Sequence, residues 1–320
     1  MTVRRRVAWG ALPLLGLAAG FAGGGCSPSG DKIDTRFDTH TADPAYQSEG
    51  PRVLFDEAHH NWHRAGGSYL PFVRLVESDG YRVAANSKRV TPDVLRPYAV
   101  YLVANAVGKN DQNDAPAFEE SECDVIRDWV AAGGALLLIT DHYPTGHAVE
   151  ALASRFGVRQ SKGEVSDSVE FDPAFEQTHL VFSRKNGGIP RHAITEGRNP
   201  RERIDRVLTF TGQALHAGAP AFGFLRLSKT AVARSPKPTV DRSGGNVRVS
   251  VTYENPVAVP GWSQGLAFEY GKGRVVVLGE AAMLTARFSG YDGARIGMNT
   301  PGYDNRQLAL NVMRWLTRVL

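Results

Sequence analysis

The chain has only two cysteines in 320 residues, Cys26 and Cys123. If Cys26 is modified or cleaved off, Cys123 is left without a partner, so no internal disulfide can staple the fold. Stability must then come from burial, for which a 42% hydrophobic composition suffices. No long Lys/Arg block follows residue 6, which leaves nucleic-acid binding without an electrostatic basis. HExxH is missing, so any metal signal in the sequence is diffuse. No Gly-x-Ser-x-Gly elbow follows a strand, and no Gly-x-x-x-x-Gly-Lys-Ser/Thr loop precedes Asp56-Glu57-Ala58-His59, so its likeness to a helicase box is fortuitous. Internal repeats and coiled-coil heptads are also lacking.

The N-terminus carries more information. Arg4, Arg5 and Arg6 precede an apolar run, Val7 to Ala22, that ends in Gly23-Gly24-Gly25-Cys26. A charged start, a short greasy stretch and small residues at its end predict a secretory signal over 1–25. The run is too short and glycine-rich for a transmembrane helix. Cys26 directly after the small residues predicts lipidation there, although Gly23 stands where a lipobox usually has Leu, Val or Ile; the simpler alternative is ordinary cleavage near Gly25. Removing the leader takes away three arginines and no acid, so the formal net charge falls from +4 to +1. The expected place is the cell envelope, periplasm-facing, and Ser27 rather than aspartate after Cys26 favours the outer membrane over the inner.

Residues 26–50 are rich in Ser, Pro, Gly, Asp and Thr without apolar period and read as a flexible tether, with the folded part starting near Pro51. From there apolar strands alternate with helices: Val53–Phe55, a helix over 69–78, Tyr81–Ala84, Ala99–Ala104, an amphipathic helix over 119–132, and Ala135–Thr140. Uninterrupted apolar strands separated by helices predict an α/β fold, a doubly wound, mostly parallel, flavodoxin-like sheet. Residues 160–260 carry short β-like runs between Pro and Gly and read as an antiparallel β extension or insertion. Gly265–Tyr270, the turn Gly271-Lys272-Gly273 and Arg274–Leu278 predict a hairpin. A last helix spans 304–320.

In an open α/β sheet ligands bind beyond the carboxyl ends of the strands. There the sequence places Asp56, Glu57, His59, His60 and His63, then Asp141 and His142, then Glu280. Asp141, His142, Glu57 and Glu280 are therefore the candidate catalytic residues. His59, His60, His63 and His142 are candidate ligands for a divalent metal such as zinc, whose bound water would attack a glycosidic or amide centre. Loop and cap bonding competes with these roles, most of all for Asp56 and His147. Asn299 and Asn305 are candidate ligand-binding amides, and Asp304 reads as the cap of the last helix.

Certain segments also resemble a known family. Gly133-Gly134 followed by Leu136–Ile139 is similar to the central strand of class I glutamine-amidotransferase-like domains. His192-Ala193-Ile194-Thr195-Glu196-Gly197 resembles the His-Pro-Ile-Thr-x-Gly segment of trehalose-utilisation-like members. Gly271–Gly279, with Asn305 and Leu310–Leu316, is similar to members grouped as DUF4350-like. The resemblance spans residues 51–320 and implies the flavodoxin-like sheet. It does not carry over the thiolate chemistry: Thr140-Asp141-His142 stands where that family places its cysteine, and the histidine of the later His-x-Glu pair is missing before Glu280. Two functions stay open. One is a metal-assisted hydrolase of a carbohydrate or amide. The other is a non-catalytic lipoprotein that binds a small molecule, a glycan or a partner.

Overall fold

A computed structural model describes residues 30–108, 115–241 and 248–320. Eight strands set the geometry: β1 (Arg52–Asp56), β2 (Arg82–Asn86), β3 (Val100–Ala104), β4 (Ala135–Ile139), β5 (Ala231–Asp241), β6 (Arg248–Ala258), β7 (Ser263–Tyr270) and β8 (Gly273–Leu278). The nine-stranded main sheet runs β2-β1-β3-β4-β8-β7 and continues through Leu215–His216 and Arg159–Gln160, with Phe222–Arg226 also on β7. The pairs β2/β1, β1/β3, β3/β4 and β4/β8 are parallel, whereas β8/β7 and all beyond it are antiparallel. Counted among the parallel strands alone, the order is 2-1-3-4-5, that of flavodoxin-like sheets. The expected fold class is therefore the one found.

Alternation along each strand explains why both faces are covered. Val53, Phe55, Val100, Leu102, Leu137, Ile139, Val276 and Leu278 join one core with helices α1 (Leu70–Ser78) and α3 (Asn305–Leu316). Leu54, Tyr101, Val103, Leu136, Leu138, Val275 and Val277 join a second core with helix α2 (Glu120–Ala131). Side chains point to opposite faces in period two, so a strand buried on both sides reads as continuous apolar sequence. Cys123 lies within α2 and is fully buried; burial pushes its thiol up to about 12, so it is packing material. The hairpin is present in the expected register, Gly265 opposite Leu278 and Tyr270 opposite Gly273. Gly271 supplies the positive φ of 58° that opens its turn, and a Cβ there would lie 2.6 Å from the Ala131 carbonyl oxygen.

The β-rich stretch after β4 is not one sheet. Glu164–Asp167 pairs with β5, and β5 with β6 forms a long hairpin. Among the described residues Val181–Ser183 and Arg206–Leu208 form a separate two-stranded sheet.

The free tether expected before Pro51 is corrected for the part described. Lys32–Ile33 pairs antiparallel with Ala286–Phe288. Arg314, buried in α3, grips Asp79 through two bonds of 2.9 and 2.6 Å and also reaches the Asp43 carbonyl at 3.1 Å. Thr41 N donates to Ser78 Oγ and Ala45 N to Asp79 Oδ1, both at 2.9 Å. The strap over 30–50 is thus held by main-chain and polar contacts, with Phe37, Ala45 and Tyr46 packed against the core at irregular spacing that leaves no hydrophobic period to read. Cys26 and the leader lie outside the described residues. No helix among the described residues is long and apolar enough to cross a membrane.

Candidate functional site

Strand β4 ends at Ile139, and the chain turns sharply through Thr140, Asp141 and His142. Thr145 Oγ1 fastens the turn, accepting from Asp141 N at 2.9 Å and donating to the His142 carbonyl at 3.1 Å. Strand β8, parallel to β4, ends at Leu278 and delivers Glu280 to the same rim. Asp141 Oδ1 accepts from His142 N at 2.8 Å, and Oδ2 accepts from Ala281 N at 3.4 Å. Asn105, the residue after β3, also hydrogen-bonds the Asp141 carboxyl and stands at a left-handed φ of 51°. That conformation is uncommon outside glycine, although Asn tolerates it best.

Burial decides the electrostatics. The Glu280 carboxyl is fully buried, and its oxygens accept from Ala282 N at 2.5 Å and Met283 N at 2.7 Å. Burial, then the neighbouring Asp141 charge, drive its pKa well above the carboxylate range. Asp141 is raised too, by burial that outweighs the His142 charge and the hydrogen bonds it receives. Two like charges taken out of water cannot both ionise cheaply, so the pair retains a proton. Tyr69 closes the inner wall: its hydroxyl donates to the Ala281 carbonyl at 2.7 Å, and burial followed by Glu280 and Asp141 raises it further.

On the solvent side stands His142, with 30% of its side chain exposed against 13% for Asp141. Its Nε2 is 3.7 Å from Asp141 Oδ1. Its Nδ1 lies 3.0 Å from the Tyr143 carbonyl and 2.8 Å from Tyr253 Oη. A carbonyl only accepts, so Nδ1 bears hydrogen when that bond is made. Nε2 then presents its lone pair towards Asp141, a contact that is favourable with a proton on one of the two.

The structure brings together Asp141, His142 and Glu280 and disperses the other candidates. Glu57 Oε1 accepts from Ala65 N at 2.9 Å and closes its own loop. His59 lies between Asp56 Oδ2 at 2.8 Å and Glu122 Oε1 at 3.3 Å, its ring stacked on Phe118. Burial alone would lower its pKa, but Asp56 and then Glu122 outweigh burial and raise it. His60 is exposed at a positive φ. His63 is bonded through Nδ1 to Ser68 Oγ at 2.6 Å, and burial with Arg287 nearby pushes it down to about 3. Among the described residues no group of three or more His, Cys, Asp and Glu is arranged to hold a metal ion. The expected zinc ligands His59, His60, His63 and His142 thus do not fit one ion: His59 and His63 are fixed by their own loop and helix contacts, and His60 stands exposed. Asn305 is fully buried and spends its amide on Leu208 N and on the Leu208 and Met283 carbonyls. Its place is structural, with no atom left for a ligand. Asn299 sits away from Asp141, donating to Asp34 Oδ2 and the Arg287 carbonyl.

Three residues at this rim escaped the sequence reasoning. Asn105 follows a strand as directly as Asp141 does, and the strand-end rule would have found it. Tyr69 and Tyr253 carry no local signal: one starts a helix, and the other arrives on the long hairpin 111 residues from His142.

The fold and rim define an α/β protein with a doubly wound sheet and an acid–imidazole cluster at its carboxyl edge. Among solved structures, the N-terminal domain of mmIFT52 superposes with a TM-score of 0.57 at 13% identity, covering 83% of this chain and 97% of that one. That likeness is one of fold. A ThuA-like protein from Bacteroides uniformis gives a TM-score of 0.38 at 10% identity, over 87% of this chain and 93% of that one. A cytoplasmic protein from Salmonella typhimurium gives 0.40 at 12% identity, over 83% and 99%. The sequence matches no family profile and no curated protein.

Proposed function

We propose that the chain is an exported hydrolase of glycosidic or amide bonds, anchored by a lipid on Cys26 and facing the periplasm, at the outer rather than the inner membrane. In this reading it is a cysteine-less member of the class I glutamine-amidotransferase-like superfamily, on its DUF4350-like or trehalose-utilisation-like side, with Asp141-His142 working in the place of the thiol. The observation that carries it is the proton-retaining carboxyl pair beside a solvent-facing imidazole. Asp141 gives its proton to the leaving group, and His142 Nε2 takes one from the attacking water. Glu280 is too deeply buried to touch substrate and acts through Asp141, strengthening the pair's hold on its proton. Tyr253 and the Tyr143 carbonyl hold the imidazole. No step is routed through a metal, since the histidines diverge.

The test is hydrolysis of chromogenic glycosides and peptide anilides. Asp141→Asn is expected to lower kcat at least 100-fold while the protein stays folded. In Glu280→Gln the activity lost on raising pH is lost at lower pH, because removing the neighbouring charge lowers the Asp141 pKa. Undiminished turnover by Asp141→Asn would refute the mechanism.

A second reading, a binding lipoprotein without turnover, is favoured by one observation: a roomy cleft is lined by other residues than Asp141, His142 and Glu280. Complete inactivity of the wild type would select it.

A further inference from the structure

That cleft measures about 1310 Å³ and lies between strap residues 34–43, the loop 295–303 and the start of α3. Pockets for drug-sized molecules run to roughly 300–1,000 Å³, so there is room for more than one monosaccharide. Arg36, Arg201, Arg295 and Arg306 line it, and none of these four has a carboxylate partner among the described residues. Arg306 instead donates to the carbonyls of Asp38 at 3.1 Å and His40 at 2.5 Å, which fixes its position without a direct ion pair, the Asp38 charge lying nearby.

The acids in the same walls are engaged. Glu202 is held by Arg198 and Arg314, and Asp43 by Arg198. Asp34 accepts from Arg36 N and from Asn299 Nδ2, and Asp38 accepts from His40 N. Asp34 and Asp38 have no ion-pair partner among the described residues, so the four arginines still outnumber the unpaired acids of the walls.

Two deeper atoms sharpen the choice. Thr41 Oγ1 and Asn299 Oδ1 have no hydrogen-bond partner among the described residues, although their residues are only 8% and 9% exposed. Leaving such a group unpaired costs about 1–3 kcal/mol, which a suitable occupant would recover. An amide oxygen only accepts, and a threonine hydroxyl accepts or donates. The occupant must bring hydroxyl groups as well as negative charge. We infer that this cleft is a binding site for an acidic saccharide, its anionic group on the arginines and its hydroxyls on Asn299 and Thr41. This site is independent of the acid–base cluster and stands whether or not that cluster turns over.

Calorimetric titration of the full chain with four probes tests it: trigalacturonate, glucose 6-phosphate, neutral maltotriose and inorganic phosphate. At least one acidic saccharide is expected to bind ten times more tightly than both maltotriose and inorganic phosphate, and to weaken with salt. Trigalacturonate alone would assign a carboxylate, glucose 6-phosphate alone a phosphate ester. The double variant Arg201→Glu/Arg295→Glu changes exposed, unpaired side chains, so its melting temperature is expected to hold while affinity falls at least tenfold. Equal binding of maltotriose or phosphate, no binding of any probe, or an unaffected double variant would overturn the assignment.

Discussion

At the scale of the residue, His63 shows how burial converts into pH dependence. In the unfolded chain it takes up a proton near 6.5; in the fold, burial and the Arg287 charge hold protonation off until about 3. Its neutral form therefore supports the fold fully above pH 6.5, and that support drains away as pH falls towards 3. Tyr69 lies against the ring, its centroid 4.8 Å away, and stays uncharged throughout this range. His63→Asn removes the titration. Urea midpoints of wild type and variant are expected to converge as pH is lowered from 7 to 4; a gap that stays constant would contradict the assignment. Such behaviour was beyond reading in the sequence, where His63 looks like its neighbours His59 and His60. What separates the three is where β1 and its loop set each ring: between two carboxylates, in solvent, or beside a serine.

At the scale of the element, legibility followed the range of the contacts. The strands of the parallel sheet announced themselves because each is buried on both faces, and their ends located Asp141 and Glu280 without any tertiary knowledge. The same rule passed over Asn105 only for want of a charge. The strap failed the rule altogether. Its order comes from Arg314 and Asp79, 235 residues apart, and no local pattern encodes that pairing. Arg314→Met should accordingly cost about 3–5 kcal/mol, the usual penalty for stranding one member of a buried ion pair. Limited proteolysis would then cut within 34–46 in the variant and spare the wild type; equal resistance would mean that the strap's other contacts, its strand pairing with Ala286–Phe288 among them, suffice to hold it. The long hairpin is the other element whose destination was hidden. Alternation predicted β structure there, but nothing local pointed Tyr253 at His142.

At the scale of the whole molecule, the proposed anchor and the folded part make separate predictions. Metabolic labelling with a radioactive fatty acid is expected to mark the wild type and to leave Cys26→Ala unlabelled. Unlabelled wild-type protein cut near Gly25 would instead mean a soluble exported form. The fold does not depend on that outcome, since the described strap closes onto α1 and α3 beyond the cysteine.

The position of β8 carries a last implication. It is made from residues 273–278 yet fits between β4 and β7, so the parallel layer lacks a member long after β4 has been synthesised. Arg314 arrives later still, and only then is the early-made Asp79 neutralised. Closure of the layer thereby waits on this late strand, and long-range closure of this kind is slow. The delay suits the proposed export, since a secretion channel takes a chain that is still threadable.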